Sequence, residues 1–154
     1  MTTQWPTPDR HAPAAVALAI LKVAGRYALQ LRDNRPDIAA PGHWALFGGS
    51  LDGAETPRLA VRREIREELA LDVTDWRELW RVRYYVPFRD AEVLHFIFAA
   101  DVTGLWARHV LHEGQAAGLF PIDGLPRPME PVVVALLERY HDQERSESPG
   151  DLRG

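Results

Sequence analysis

Residues 56–69 constrain the fold more than any other stretch of the chain. Thr56-Pro57 offers an N-cap hydroxyl and a proline suited to the first helical turn. Val61, Ile65 and Leu69 follow at i, i+4 and i+8, so a helix over 56–69 carries one apolar stripe. Such a stripe needs a surface to cover, and the flanking segments read as strands. Residues 14–23 form a β-branched and aliphatic run, Gly25-Arg26 a turn, and residues 27–32 an alternating partner, which together predict a hairpin. Residues 33–43 contain Asn, Pro and Gly and predict a loop, followed by a short strand over 44–47 that runs into Gly48-Gly49. Two further strands are expected over 78–88 and 93–102, joined at Arg89-Asp90, and another over 118–122. Glu130-Pro131 opens a final helix running to about His141. Strands around a central helix, closed by a second helix, predict an α/β arrangement with a mixed sheet.

A length of 154 residues suits one domain, expected over 14–141, with a flexible N-terminal arm over 1–13 and a flexible C-terminal tail over 142–154. The chain has no cysteine, so disulfides, thiolate nucleophiles and thiolate metal sites are excluded. A net charge of −4 supplies no basic field for nucleic acid or membrane, and no apolar window approaches the roughly 20 residues of a spanning helix. The opening residues lack a secretory leader's apolar stretch, and a cytoplasmic protein is the expectation.

Chemistry concentrates on the helix. Glu64, Glu67 and Glu68 stand at i, i+3 and i+4, within about 100° of arc and bordering the apolar stripe. Like charges crowded at such a border raise one another's pKa unless a cation neutralises them, and hard divalent cations favour oxygen ligands. Arg62, Arg63 and Arg66 lie among the glutamates, so a charged surface helix laced by i,i+4 pairs is the competing reading of these residues.

The wider stretch, GGSLDGAETPRLAVRREIREELAL from Gly48 to Leu71, resembles the Nudix box, G-x5-E-x7-R-E-U-x-E-E-x-G-U with U a bulky aliphatic residue. Gly49, Glu55, Arg63, Glu64, Ile65, Glu67, Glu68 and Leu71 occupy its positions, and Ala70 alone departs, where the family has Gly. The resemblance implies the Nudix fold, an α/β/α sandwich around a mixed sheet that carries the box helix and a C-terminal helix. It implies Mg²⁺, with Mn²⁺ as a substitute, on Glu67 and Glu68, with Glu64 as a further ligand or the base. A carbonyl of the Gly48-Gly49 pair is implied to reach the metal, and Arg63 to pair with Glu55 and lock the loop. Ala70 affects shape: a helix-closing left-handed residue prefers Gly, at a cost of about 1 kcal/mol for Ala, unless the helix continues.

Beyond the box the resemblance is to MutT-like members. Glu113, in His112-Glu113-Gly114-Gln115, looks like their acidic loop, whose glutamate binds metal or acts as base. Met129-Glu130-Pro131 looks like the start of their last helix, with Met129 where an Asn reads an oxidised guanine. Arg32 is either the phosphate clamp, because its fork fits phosphate oxygens, or an exposed strand-end arginine, while Trp44 and Phe47 beside the Gly pair either stack on a base or pack into the core as strand residues. Of Tyr84 and Tyr85, one is expected to point inward and one outward. The implied reaction is Mg²⁺-dependent cleavage of a nucleoside diphosphate linked to X, of the (d)NTP or nucleotide-sugar type. The partner is then a small nucleotide-type molecule, with a homodimer left open. The alternative is a catalytically silent Nudix-fold binding or regulatory module; such modules usually lose box carboxylates, and this chain keeps them.

Overall fold

The computed structural model describes residues 15–147. The expected arm, 1–13, and residues 148–154 of the expected tail lie outside them. Among the described residues seven strands form one mixed sheet: β1 (Ala15–Val23), β2 (Arg26–Leu31), β3 (Trp44–Ala45), β4 (Phe47–Ser50), β5 (Arg77–Val86), β6 (Ala91–Asp101) and β7 (Ala116–Phe120). Helices α1 (Pro57–Leu69) and α2 (Pro131–Glu147) complete the fold. The order β3-β2-β1-β6-β5 is antiparallel except for the parallel β1–β6 pair, and β4 also pairs β1 while β7 pairs β2.

Alternation along the central strands feeds two cores. Ala17, Ala19 and Leu21 of β1 and Phe96 and Phe98 of β6 pack beneath Val61, Ile65 and Leu69 of α1. Ile20 of β1 and Ile97 and Ala99 of β6 pack beneath Val133, Leu136 and Leu137 of α2. The result is the α/β/α sandwich anticipated from the box.

The sheet forks. β1 pairs with β2 only over Leu21–Val23, and its earlier half, Val16–Ala19, pairs with β4. The stretch expected as one strand over 44–47 is therefore two: Trp44-Ala45 pairs with β2, and Phe47 onward pairs with β1. Leu46 sits at the switch, and the buried Gln30 Nε2 donates to its carbonyl at 3.1 Å. The Gly pair lies inside β4 rather than after it, and the fork opens the sheet beside it.

Both ends of α1 follow from their sequence. Thr56 Oγ1 accepts from Leu59 N–H at 3.2 Å, with Pro57 in the first turn. Ala70 closes the helix in the left-handed conformation (φ 56°, ψ 30°), its N–H donating to Arg66 O, so the helix does not continue. At α2 the expectation needs correction: residues 142–147 are helical rather than tail. Non-local pairs hold this extension, Lys22 with Glu144 at 2.6 Å and Arg77 with Glu147 at 2.9 Å. Among the described residues no helix is long and apolar enough to cross a membrane.

Candidate active site

The box helix, the Gly pair and the loop before β7 meet at a cleft of about 490 Å³. Arg32, Gly48, Gly49, Glu64, Glu67, Glu68 and Glu113 all line it. The three helix glutamates lie on a gradient of burial: Glu68 is 3% exposed, the Glu64 side chain 13% and the Glu67 side chain 54%. Burial pushes the Glu68 carboxyl up to about 9, and the neighbouring charges of Glu64 and Glu113 push the same way. The Gly48 N–H, which donates to Glu68 Oε2 at 3.1 Å, and the more distant Arg32 oppose that shift. Glu64 is also raised, chiefly by burial.

Glu113 reaches this group through backbone contacts. Val110 N–H donates to Leu69 O and His112 N–H to Glu68 O, both at 2.9 Å, so the loop satisfies carbonyls that α1 leaves open at its end. On the other side Gln115 N–H donates to Leu31 O at 2.8 Å.

The three arginines of the helix divide between two sets of partners. Arg62 and Arg66 turn away from the glutamates to Asp72, at 2.8 and 2.9 Å. Arg63 alone faces the glutamates. It grips Glu55 with Nε and Nη2 at 2.8 and 2.9 Å, donates to Ser50 O at 3.0 Å, and reaches Glu64 at 3.0 Å and Glu67 at 3.2 Å. One guanidinium thus ties the loop to the helix and aims two carboxylates. Its donors are committed within the protein, which makes it a positioning group rather than a substrate contact. Glu55 in turn accepts from Asp52 N–H at 3.0 Å.

The pattern of the NUDIX domain family matches residues 10–140. The chain belongs to the Nudix family. The nucleoside triphosphatase NudI of Salmonella arizonae is 37% identical over 93 residues, 54% of this chain and 64% of that protein. This chain therefore spans less than two thirds of that relative's length. The MutT Nudix hydrolase of Burkholderia pseudomallei superposes with a TM-score of 0.70 at 26% identity, over 82% of this chain and 96% of that one. The MutT protein of Methanosarcina mazei Go1 has the same fold, with a TM-score of 0.73 at 19% identity over 86% of this chain and 96% of that one.

Within the Nudix box the glycines have steric reasons. A Cβ on Gly49 would stand 2.5 Å from the Glu64 carboxyl, and one on Gly48 (φ +140°) would stand 2.1 Å from Ala17 O. Among the described residues no three acidic or histidine side chains are already gathered as a metal cage. The donor set nevertheless fits a hard cation. The cleft is lined by six carboxylates (Asp37, Glu64, Glu67, Glu68, Glu113 and Glu130) against two arginines, and among the described residues Glu68 lies buried without an ion pair to balance it.

Trp44 and Phe47 pack in the fold rather than line the cleft. Phe47 is fully buried in the core beneath α1, because its side chain leaves β4 on the helix side. Trp44, on β3 beyond the fork, packs edge-on against Phe120 with centroids 4.9 Å apart. Neither lines the cleft. Arg32 does, and its Nε donates to Ala39 O at 2.6 Å, which fixes the direction of its guanidinium.

The aromatic wall of the cleft comes instead from Tyr84 and His95, stacked 3.7 Å apart at 5°. Tyr85 points outward, 54% exposed, as the alternation required of one of the pair. His95 is buried and its pKa is lowered to about 4, chiefly by burial. Glu130 and Val133 at the start of α2, and Arg89 on the β5–β6 turn, complete the lining. Register places these residues, and no local motif marks them. A larger open groove of about 930 Å³ runs beside the start of α2 from Ile122 to Glu138, away from the carboxylates, with Asp123, Arg127 and Glu138 as its charged residues.

Proposed function

We propose that this chain hydrolyses the diphosphate bond of a nucleoside diphosphate linked to X, of the (d)NTP or nucleotide-sugar type, with Mg²⁺ as cofactor and Mn²⁺ as substitute. The observation that carries the reading is the convergence of Glu64, Glu67, Glu68 and Glu113, from two separate segments, on one cleft that also holds Arg32. Polyphosphate could not approach these carboxylates without cations between. Glu67 and Glu68, with Glu64, Glu113 and the Gly48 carbonyl as further oxygen donors, would hold the metal. When bound, such an ion withdraws charge from phosphoryl oxygens and makes water more acidic.

The protein supplies the rest. Arg63 holds Glu64 and Glu67 in place, and Glu55 holds Arg63. Glu64 or Glu113 accepts the proton of the attacking water; both carboxylates line the cleft and sense each other's charge. Arg32 clamps phosphate oxygens. The Tyr84–His95 stack, in place of Trp44 and Phe47, offers a flat apolar surface to the nucleoside. The name of the NudI relative, a nucleoside triphosphatase, agrees with a nucleotide substrate. The binding-module alternative gains no support, because every box carboxylate is retained. We place the protein in the cytoplasm, where a cysteine-free chain meets its nucleotides, and assign it no nucleic acid or membrane partner.

The test is product release with Mg²⁺ across nucleoside triphosphates, nucleotide sugars, ADP-ribose and dinucleoside polyphosphates. The expected result is turnover of one class, reduced by orders of magnitude in a Glu67→Gln, Glu68→Gln double variant that still folds. Undiminished turnover in that variant would remove the assignment.

A further inference from the structure

A cleft lined by six carboxylates holds one arginine whose position nothing so far explains. Arg89 ends a short 3-10 turn, Pro87–Arg89, at the tip of the β5–β6 hairpin. Among the described residues its side chain makes one hydrogen bond, from Nη2 to the neutral Ser50 Oγ at 2.5 Å, and it joins no ion pair. An arginine that pairs with none of the acids lining the same cleft keeps most of its donor fork for an incoming anion. The tip that carries it is braced: Asp90 takes the left-handed conformation (φ 48°), its N–H donates to Pro87 O, and Tyr85 Oη donates to Asp90 Oδ1 at 2.5 Å.

Arg89 and Arg32 approach the cleft from different elements. Arg32 leaves the end of β2 and is held from the loop by Ala39 O, whereas Arg89 reaches back from the hairpin tip to the last residue of β4, next to Gly49. Its positive charge is felt inside the cleft, where it opposes protonation of His95. The carboxylate group and Arg32 suffice, on the reading above, for one diphosphate. Arg89 is then a second, separately mounted anion site.

We propose that Arg89, seated on Ser50, binds an anionic group beyond the diphosphate that is cleaved, and so selects nucleoside triphosphates over nucleoside diphosphates joined to a neutral sugar. This rests on the proposed hydrolase reading and adds the substrate class to it. A guanidinium takes two oxygens of a terminal phosphate at once, while a sugar hydroxyl offers it only a single neutral acceptor.

The experiment compares wild type with Arg89→Gln, with magnesium in excess. One arm measures kcat and KM for a nucleoside triphosphate panel and for nucleotide sugars; the other measures binding of inorganic tripolyphosphate and of inorganic pyrophosphate by calorimetry. Loss of a charge-assisted hydrogen bond weakens binding by about tenfold or more. The expected result is therefore a KM for triphosphates and a Kd for tripolyphosphate raised about tenfold, with kcat within about twofold and the nucleotide-sugar and pyrophosphate values unchanged. An equal loss for tripolyphosphate and pyrophosphate, or no loss for either, overturns the assignment. If wild type shows turnover that depends on Glu67 and Glu68 while Arg89→Gln keeps the wild-type preference, only the role of Arg89 falls. If wild type hydrolyses nothing in the panel, the hydrolase reading falls and takes this one with it.

Discussion

Glu68 should weaken the metal-free protein that contains it. The residue is 3% exposed and its carboxyl holds its proton to about pH 9, whereas the unfolded chain releases that proton near 4.5. Between those limits the folded state binds more protons than the unfolded state, so stability falls as pH rises, by up to about 1.4 kcal/mol per unit. At pH 7 the penalty has reached about 3 kcal/mol. Glu68→Gln removes the ionisable group, keeps an oxygen for the Gly48 N–H, and turns an amide toward the charges of Glu64 and Glu113. In chelator the variant should therefore melt higher at pH 7, by about 10 °C at the few degrees per kcal/mol usual for this size. The two proteins should converge near pH 5. Glu64, raised in the same direction, leaves the variant a shallower slope of its own. Adding magnesium should stabilise wild type far more than the variant and close the gap, because a ligand that binds only the folded state adds to its stability. Thermal melts from pH 5 to 9, with chelator and with magnesium, read all of this. Superimposable profiles in chelator would refute the argument that burial of this carboxyl is costly.

Other positions give independent checks. Ala70→Gly relieves an exposed left-handed alanine without opening a cavity, and should stabilise by about 1 kcal/mol and raise Tm by about 2–4 °C with turnover unchanged. Gly49→Ala places a methyl 2.5 Å from the Glu64 carboxyl. It should cost about 1–3 kcal/mol in urea unfolding and lower kcat more than KM, since Glu64 must shift. His95 works in the opposite pH sense to Glu68: its folded pKa of about 4 lies below the unfolded 6.5, so its contribution is complete above pH 6.5 and is lost as pH falls toward 4. The loss should approach about 3 kcal/mol and be absent in His95→Phe, which keeps a ring against Tyr84; urea midpoints between pH 4 and 7 decide it.

The sequence made α1 legible to the residue, because its cap, its first-turn proline and its apolar stripe are all local signals. The box glutamates were legible as a group for the same reason, and Glu113 through the family resemblance of its short loop. For Trp44 and Phe47 the sequence left packing and base stacking both open, because nothing local announces the switch at Leu46, and that switch decides which way each side chain leaves the sheet. Tyr84, His95, Glu130 and Arg89 were not legible as a set: β5–β6 register and the docking of α2 bring them together from separate segments. The extension of α2 past His141 escaped for a similar reason. Its polar sequence reads as tail, and the pairs that hold it, to Lys22 and Arg77, lie on the distant strands β1 and β5.

The anchoring of the loop before β7 has a consequence for how such a chain can diverge. Glu113 is delivered by Val110 and His112 N–H on one side and Gln115 N–H on the other, all main-chain groups. Every residue but proline carries the same donor, so substitutions around Glu113 can accumulate while its carboxylate keeps its place. A loop tethered in this way preserves its geometry while its spelling drifts, which is why a loop can be firmly positioned and still carry almost no signature.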